Sequence, residues 1–461
     1  MKAFAQLMAG TAVLVMASTA AQAGGYQRGQ ADTDILYEPG SFSARMGYSY
    51  VEPRRGFESV NGVDGDYGTY TGTYAIPSFS VKYSNDIVGC AGTFTETFAA
   101  DADFTGLPGG AQPAAFNNPF GSRTRTQEFD SQEFGATCRV SYELTRGRVS
   151  LLGGIFVEDF DFAGSSLANQ NVTGLVSAGN PLLGGAIRPG SGTPFAGAQF
   201  IAPIGVNLDA SGGYQTGFRI GAAYEIPEIA LRAQVLYRSE VEHDDITGSA
   251  RITGAAPTFV RLANGSIVTT QTFGNLVSAA TGVPGIGNQL AGSLPTGGTP
   301  LGTQPGSLNT AVSPASLNIN VQTGIAEGTL LLASLRWTDW STNEAAITTV
   351  GTNPGNVTPF YWRDGYTASL GLGRALTENI SGVVAVGYDR GVSTGAETTY
   401  TDLYTLSGGF SFRNDVGEIR LGGLVGYWTD GEQSVSDGAL FNASVGQDWV
   451  YGANASIKLN F

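Results

Sequence analysis

A two-residue hydrophobic period that places almost every charge on one parity is the feature that most narrows what this 461-residue chain can fold into. The clearest stretch is the last. Trp449, Tyr451, Ala453, Ala455, Ile457, Leu459 and Phe461 alternate with Val450, Gly452, Asn454, Ser456, Lys458 and Asn460. Phe42, Ala44, Met46, Tyr48 and Tyr50 alternate with Ser41, Ser43, Arg45, Gly47 and Ser49. Phe134 to Leu144, Leu231 to Val241 and Ile419 to Tyr427 repeat the pattern. Strict alternation is the mark of a strand with two unlike faces. Beyond the N-terminus no 18-residue apolar run exists, so a helical membrane span is excluded. A charge facing lipid costs about 2–4 kcal/mol at the bilayer midplane. In a transmembrane barrel the charged parity must therefore face the lumen.

Connections alternate in length. Short ones fall at Asn85-Asp86, Thr145-Arg146-Gly147, Pro227-Glu228, Glu327-Gly328, Thr377-Glu378-Asn379 and Asn414-Asp415. Long ones fall near 52–75, 101–128, 164–211, 251–313, 341–364, 391–401 and 430–447. Six short turns and seven long loops imply an all-β fold: a transmembrane antiparallel β-barrel of 14 strands with both termini periplasmic. Residues 1–23 read as a signal peptide. Lys2 is followed by an apolar and small stretch and by the small-x-small site Ala21-Gln22-Ala23. Residues 24–40 then precede the first strand, and 41–461 form the barrel. A terminal Phe461 on the final strand resembles the assembly signal through which the barrel assembly machinery takes up outer-membrane barrels. The net charge of −15 excludes nucleic acid as a partner, because phosphate binding needs a basic face.

The loops 164–211 and 251–313 are rich in Gly, Pro, Ser and Asn yet carry many apolar side chains, among them Leu182, Leu183, Phe200, Leu276 and Leu290. Such residues on an external cap either pack on one another or bind something apolar. The lumen parity carries Arg45, Arg139, Arg219, Arg232, Arg238, Arg336 and Arg420, opposed by Glu133, Glu143, Glu240, Glu242, Asp389 and Glu418. It also carries Leu236, Leu330, Leu332, Trp340, Val383, Leu424 and Trp428, of little use to a water-filled pore. Most of the arginines are expected in ion pairs. Arg219, Arg232 and Arg336 are the candidates to hold a substrate carboxylate by bidentate hydrogen bonds. Cys90 and Cys138 both fall on the lipid-facing parity of neighbouring strands, where a cross-strand disulfide and two thiols are both open. Two cysteines and one histidine make no metal site, and nothing in the chain asks for a cofactor. His243, with Ser239 and Asp244 nearby, raises a Ser/His/acid hydrolase, but there is no GxSxG elbow. Glu240, Glu242 and Asp244 share a parity and read as a solvated rim or a weak cation site.

Ile35-Leu36-Tyr37-Glu38-Pro39-Gly40, Ile226-Pro-Glu-Ile-Ala-Leu-Arg232 with Tyr237-Arg-Ser-Glu-Val-Glu-His243, Gln322-Thr-Gly-Ile325 and Leu335-Arg-Trp-Thr-Asp-Trp-Ser341 together resemble the FadL/TodX family of outer-membrane transporters. That resemblance covers essentially the mature chain. It implies passive uptake of long-chain fatty acids or similar hydrophobic molecules by a monomer set in outer-membrane lipid and lipopolysaccharide. Ligand would pass from a groove between the two long loops to a lumen pocket, then sideways through a kink in the third strand. Here Gly89 and Gly92 are the candidates for that kink. The resemblance also implies a small N-terminal hatch plugging the lumen; here it would be residues 24–40, shorter than the family's and without the Asn-Pro-Ala motif. A general or anion-selective porin, an outer-membrane lipid hydrolase and an adhesive barrel are the competing readings.

Overall fold

In a computed structural model, residues 26–115, 121–309, 311–352, 356–397 and 400–460 are described. The signal peptide 1–23 and Phe461 lie outside them. Fourteen strands run antiparallel around a closed wall: β1 (Phe42–Arg54), β2 (Tyr74–Ser84), β3 (Val88–Asp103), β4 (Arg123–Glu143), β5 (Arg148–Asn171), β6 (Gln199–Ile226), β7 (Leu231–Arg238), β8 (Ser316–Ala326), β9 (Thr329–Thr338), β10 (Gly365–Ala375), β11 (Ile380–Arg390), β12 (Leu403–Arg413), β13 (Gly417–Trp428) and β14 (Asp448–Asn460). Each pairs with the next, and β1 closes on β14 from Ser43↔Asn460 to Arg54↔Trp449. Closure of β1 on β14 leaves neither terminal strand as an open edge in a medium that offers no hydrogen bonds. All six short turns fall where the alternation places them.

The two faces follow the parity. Met46, Phe79, Leu151, Ile155, Ile220, Leu335, Leu370, Val386, Leu406, Phe410 and Leu421 are exposed on the outer wall. Arg45, Lys82, Glu133, Arg139, Arg219, Arg232, Arg238, Arg336, Glu418, Arg420 and Lys458 are buried inside. Cys90 and Cys138, directly paired across β3 and β4, are joined by a disulfide. Of the rim residues near His243, Glu240 and Glu242 are exposed, as is Glu143.

Strands β3 to β6 have 16, 21, 24 and 28 residues, well beyond the ~9–11 needed to cross a bilayer. They rise above the membrane, and the upper half of β6 pairs with Thr247–Gly254, which in turn pairs with Pro300–Leu308. This corrects the expected loop 164–211. β5 continues to Asn171 and β6 begins at Gln199, so only residues 172–198 connect them. The segment looks loop-like in sequence because no lipid faces it there. Main-chain pairing such as Leu167↔Gly205 holds it instead.

The connection 172–198 and residues 259–294 fold into a cap with four short helices, α1 (Thr173–Gly179), α2 (Pro181–Ile187), α3 (Thr270–Thr281) and α4 (Ile286–Ser293). Asn180 caps α2 through Leu183 N at 3.2 Å, with Pro181 in the first turn. Thr269 caps α3, and Gly282 ends it at φ 73°. Phe200, Val260, Phe273, Val277, Leu183, Ile286 and Leu290 fill the cap's own core.

The outer wall yields a direct test. Leu370, at the middle of β10 and 52% exposed, is expected to cost about 2–4 kcal/mol on Leu370→Arg, read from reversible folding into bilayers. The same change at the exposed cap residue Leu175 is expected to leave folding unchanged.

Candidate functional site

The lumen is occupied by the chain's own N-terminal segment. Residues 26–40 enter it, with a 3-10 turn at Thr33–Tyr37. Glu38, fully buried, accepts from Arg45 Nη2 at 2.7 Å, Lys458 Nζ at 2.7 Å and Arg420 Nη2 at 3.4 Å. Lys82 Nζ donates to the carbonyls of Glu38 (2.6 Å) and Gly40 (2.7 Å). Asp32 pairs with Arg45 and accepts from Ser80. Arg232 pairs with Asp34 at 2.9 Å. The Tyr37 ring has the guanidinium of Arg139 at 4.6 Å and that of Arg232 at 4.5 Å. Ile35, Leu36 and Tyr37 pack against Ala91, Leu152, Ala223 and Leu236. Burial alone would raise the Glu38 carboxyl. The surrounding cations Lys458, Arg45 and Arg420 outweigh it and hold that group below the ordinary carboxylate value.

The side wall has one irregular place that this segment covers. β2 pairs with β3 from Ser84↔Gly89 to Ser78↔Thr95 and no further. Above Thr95, β3 shifts register against β4 between Glu96 and Phe98. Its free edge is taken by the N-terminal segment: Arg28 N donates to Thr97 O (2.7 Å), and Ala99 N to Tyr26 O (3.2 Å). The Arg28 guanidinium lies 3.2 Å from the centre of the Tyr74 ring. Gly29 fits because it has no side chain; a Cβ there would stand 2.5 Å from Glu96 O. The expected kink at Gly89 and Gly92 is therefore corrected. The ladder through both glycines is unbroken, and the break lies at Thr97, where a bulge inserts one extra residue.

Above the plug, on the extracellular side, lie three adjoining cavities of about 780, 560 and 490 Å³. Their shared walls are Gln127, Phe129, Phe162, Ala346, Thr358, Phe360 and Trp362. Phe98, Phe160 and Trp340 complete the middle cavity, and Tyr26 of the N-terminal segment lines the largest. Tyr26 packs its ring against Trp362 (centroids 4.7 Å), Trp340 (5.8 Å) and Phe129 (6.0 Å). Among the described residues no Arg, Lys or His lines any of the three; the charged residues that do are Asp101 and Glu397. Glu397 accepts from Trp362 Nε1 at 3.1 Å.

Most residues expected to meet substrate lie elsewhere. Arg219 is paired with Glu133, Arg232 with Asp34, and Arg336 donates to Gln27 Oε1 (2.9 Å) and Asn318 Oδ1 (2.8 Å). Leu236 packs on the plug, while Leu330 and Leu332 are buried in the wall's interior. Leu424 is half-buried, and Trp428 packs on Tyr400 beside Arg55. In the cap, Leu183, Phe200 and Leu290 serve its core, and Leu182 and Leu276 are exposed. Trp340 lines the cavity. The hydrolase arrangement does not form: Ser239 Oγ accepts from Phe218 N, and His243 Nε2 faces Glu158 and Ser313.

The cavity aromatics carry a sequence signal of their own. On β5 the outward parity is apolar through Ile155 and Val157, then acidic at Asp159 and Asp161, while Phe160 and Phe162 point in. On β4 the outward Phe134 gives way to Asp130 and Glu128 around Phe129. The swap marks the membrane edge and the start of an aromatic interior.

No family model matches the chain, and no curated protein matches it in sequence. Solved structures do match in shape. A FadL homologue of Pseudomonas aeruginosa superposes with a TM-score of 0.62 at 14% identity, over 97% of this chain and 98% of that one. The monoaromatic hydrocarbon channel CymD gives 0.57 at 13%, over 97% of each. The toluene transporter TodX of Pseudomonas putida gives 0.55 at 15%, over 97% and 98%. Likeness at this identity establishes a shared fold, that of these outer-membrane barrels.

Two outcomes test the site. Phe129→Ala is expected to weaken binding of naphthalene to the detergent-solubilised protein by roughly 30-fold, the loss of about 2 kcal/mol of aromatic burial. Arg336→Gln is expected to leave that affinity within about twofold, read from tryptophan fluorescence, since it removes no wall of the cavity. The plug tests by pH. A carboxylate held below its ordinary value stabilises fully above the ordinary range and loses that contribution as pH falls through the depressed native value. Acid should release residues 26–40 to protease, and Glu38→Gln should expose them already at neutral pH.

Proposed function

We propose that this chain is a passive outer-membrane channel for hydrophobic molecules that carry no negative charge. The observation that carries the reading is an aromatic cavity without a cation, set above a closed lumen and beside an interrupted side wall. A long-chain fatty acid is the natural first thought for such a barrel. Its carboxylate, though, would lose water next to Asp101 and Glu397 with no guanidinium or ammonium on the lining. Burying an unpaired charge is costly. The lumen arginines that could have answered it are engaged with Glu133, Asp34 and Gln27. An uncharged ring system or short alkyl compound loses nothing there and gains about 0.8 kcal/mol for each CH₂ removed from water.

Passage then runs in three stages. The cavities at the extracellular mouth take up the molecule. The plug, held by Glu38 and its three cations, blocks the straight path to the periplasm. The molecule leaves sideways between β2 and β3 when residues 26–30 slide off the free edge of β3, entering the bilayer without crossing periplasmic water. The protein needs no energy source: cavity occupancy follows affinity, and exit follows the concentration gradient. Neither bond-breaking chemistry nor a cofactor has a part in it, and one chain contains every element required. The solved barrels that share the fold include channels for toluene and for monoaromatic hydrocarbons, which accords with an uncharged ligand. A general porin is disfavoured by the filled lumen.

Cells with an intact lipopolysaccharide layer provide the test. Expression is expected to speed uptake of radiolabelled naphthalene at least several-fold over an empty vector and to leave oleate uptake near background. Preferential oleate uptake, or free passage of small sugars, would overturn the reading. Gly29→Val, which drives a side chain into Glu96 O, is expected to loosen the cover over the side wall and raise naphthalene flux.

A further inference from the structure

The lone histidine joins none of the roles above, yet it is fully buried in a polar network behind the cavity. Its short strand Val241–His243 pairs with Ala311–Ser313, and Ala311 to Pro314 line the middle cavity. His243 Nε2 lies 3.4 Å from Glu158 Oε1 and 3.4 Å from Ser313 Oγ. A carboxylate only accepts, so Nε2 carries the proton. Nδ1 has no hydrogen-bond partner among the described residues. The ring also stands 5.5 Å from Phe160, itself a cavity wall.

Glu158 is the centre of this network. It is fully buried, pairs with Arg238, and accepts from Thr97 Oγ1 at 2.8 Å. Thr97 is the inserted residue of the β3 bulge. Its hydroxyl also meets Ser131, at 3.0 Å to Oγ. β5 shifts register against β6 right after Glu158, between Glu158 and Phe160. Two bulges in two strands are thus tied to one carboxylate. Arg238 extends the tie through Glu133, at 3.2 Å, to Arg219. The residues next to the bulges, Phe98 and Phe160, face the cavity.

We propose that Glu158 and His243 form a positioning pair that fastens the cavity wall at Ser313 to the bulge at Thr97 and so keeps the side passage available. The inference rests on the lateral route proposed above. The ladder of β3 with β2 ends at Ser78↔Thr95, two residues before the inserted Thr97. With Thr97 released, β3 can regain register and pair with Tyr74 to Pro77, closing the wall. Neither residue lines the cavity, so they act on exit and not on capture.

The experiment separates binding from flux in the full-length protein. His243→Leu removes the donor and keeps an apolar side chain in the buried space. Naphthalene affinity of the purified barrel, read by tryptophan fluorescence, is expected to stay within about twofold. Uptake in cells is expected to fall about tenfold, the worth of one hydrogen bond to a charged group. His243→Gln, which keeps a donor, is expected to restore most of the flux. Glu158→Gln, where it inserts, is expected to fall in flux like His243→Leu. Wild-type flux in His243→Leu would overturn the pairing. So would affinity, flux and thermal stability falling together, with no rescue by Gln, since that is a purely structural role. If the wild type itself neither binds nor admits naphthalene, the transport reading fails first and takes this inference with it.

Discussion

Closure of the wall is the constraint on which everything else depends. In hydrocarbon each unpaired backbone group costs several kcal/mol, so the chain must join β1 to β14 and leave no edge. Twelve of its residues do so directly, from Ser43 to Arg54. The closed ring then fixes two unlike spaces, a lipid side that excludes charge and an inside that must either fill with water or be packed. This chain packs it. Arginines, lysines and glutamates line the lower interior, and the N-terminal segment brings Asp32, Asp34 and Glu38 to complete their pairing.

That choice bears directly on the proposed passage. A lumen held shut by Glu38 among Arg45, Arg420 and Lys458 is not a water path. The cavities lie above it, where charge is scarce and aromatic rings are dense. The place where the β2–β3 ladder ends lies beside them. In the proposed route, capture, holding and release occupy one flank of the molecule, next to long strands that rise above the membrane. The disulfide Cys90–Cys138 joins the lower, regular part of β3 to β4, leaving the irregular part above it tied by the Glu158 network instead.

Much of the fold was legible in the residues, and less of the site. Six short turns and seven long loops set the number of strands at fourteen, and alternation marked their faces because a lipid-facing position tolerates no charge. It failed at residues 164–171 and 199–211, which are strands beyond the membrane where that selection is absent. The kink that the family resemblance implies for the third strand has Gly89 and Gly92 as its candidates, since glycine permits a bend. The bulge sits instead at Thr97, whose hydroxyl needs Glu158 from two strands away. The arginines were correctly set inside, but their parity does not say whether a partner carboxylate stands opposite. Glu133 and Asp34 come from 86 or more positions away in the chain. The cap leucines show the same limit: Leu182 and Leu183 are adjacent, yet one is exposed and the other wholly buried.

The amino-acid order alone determined the architecture, the sidedness and the sign of each face. Those properties are local, and a period of two residues against lipid encodes them. Only the folded chain decided which charges neutralise each other, where the wall is interrupted and which rings meet to form a cavity. Tyr26, Phe98, Phe129, Trp340 and Trp362 converge from distant segments. The chemistry of the space they enclose is a property of that convergence and has no counterpart along the chain.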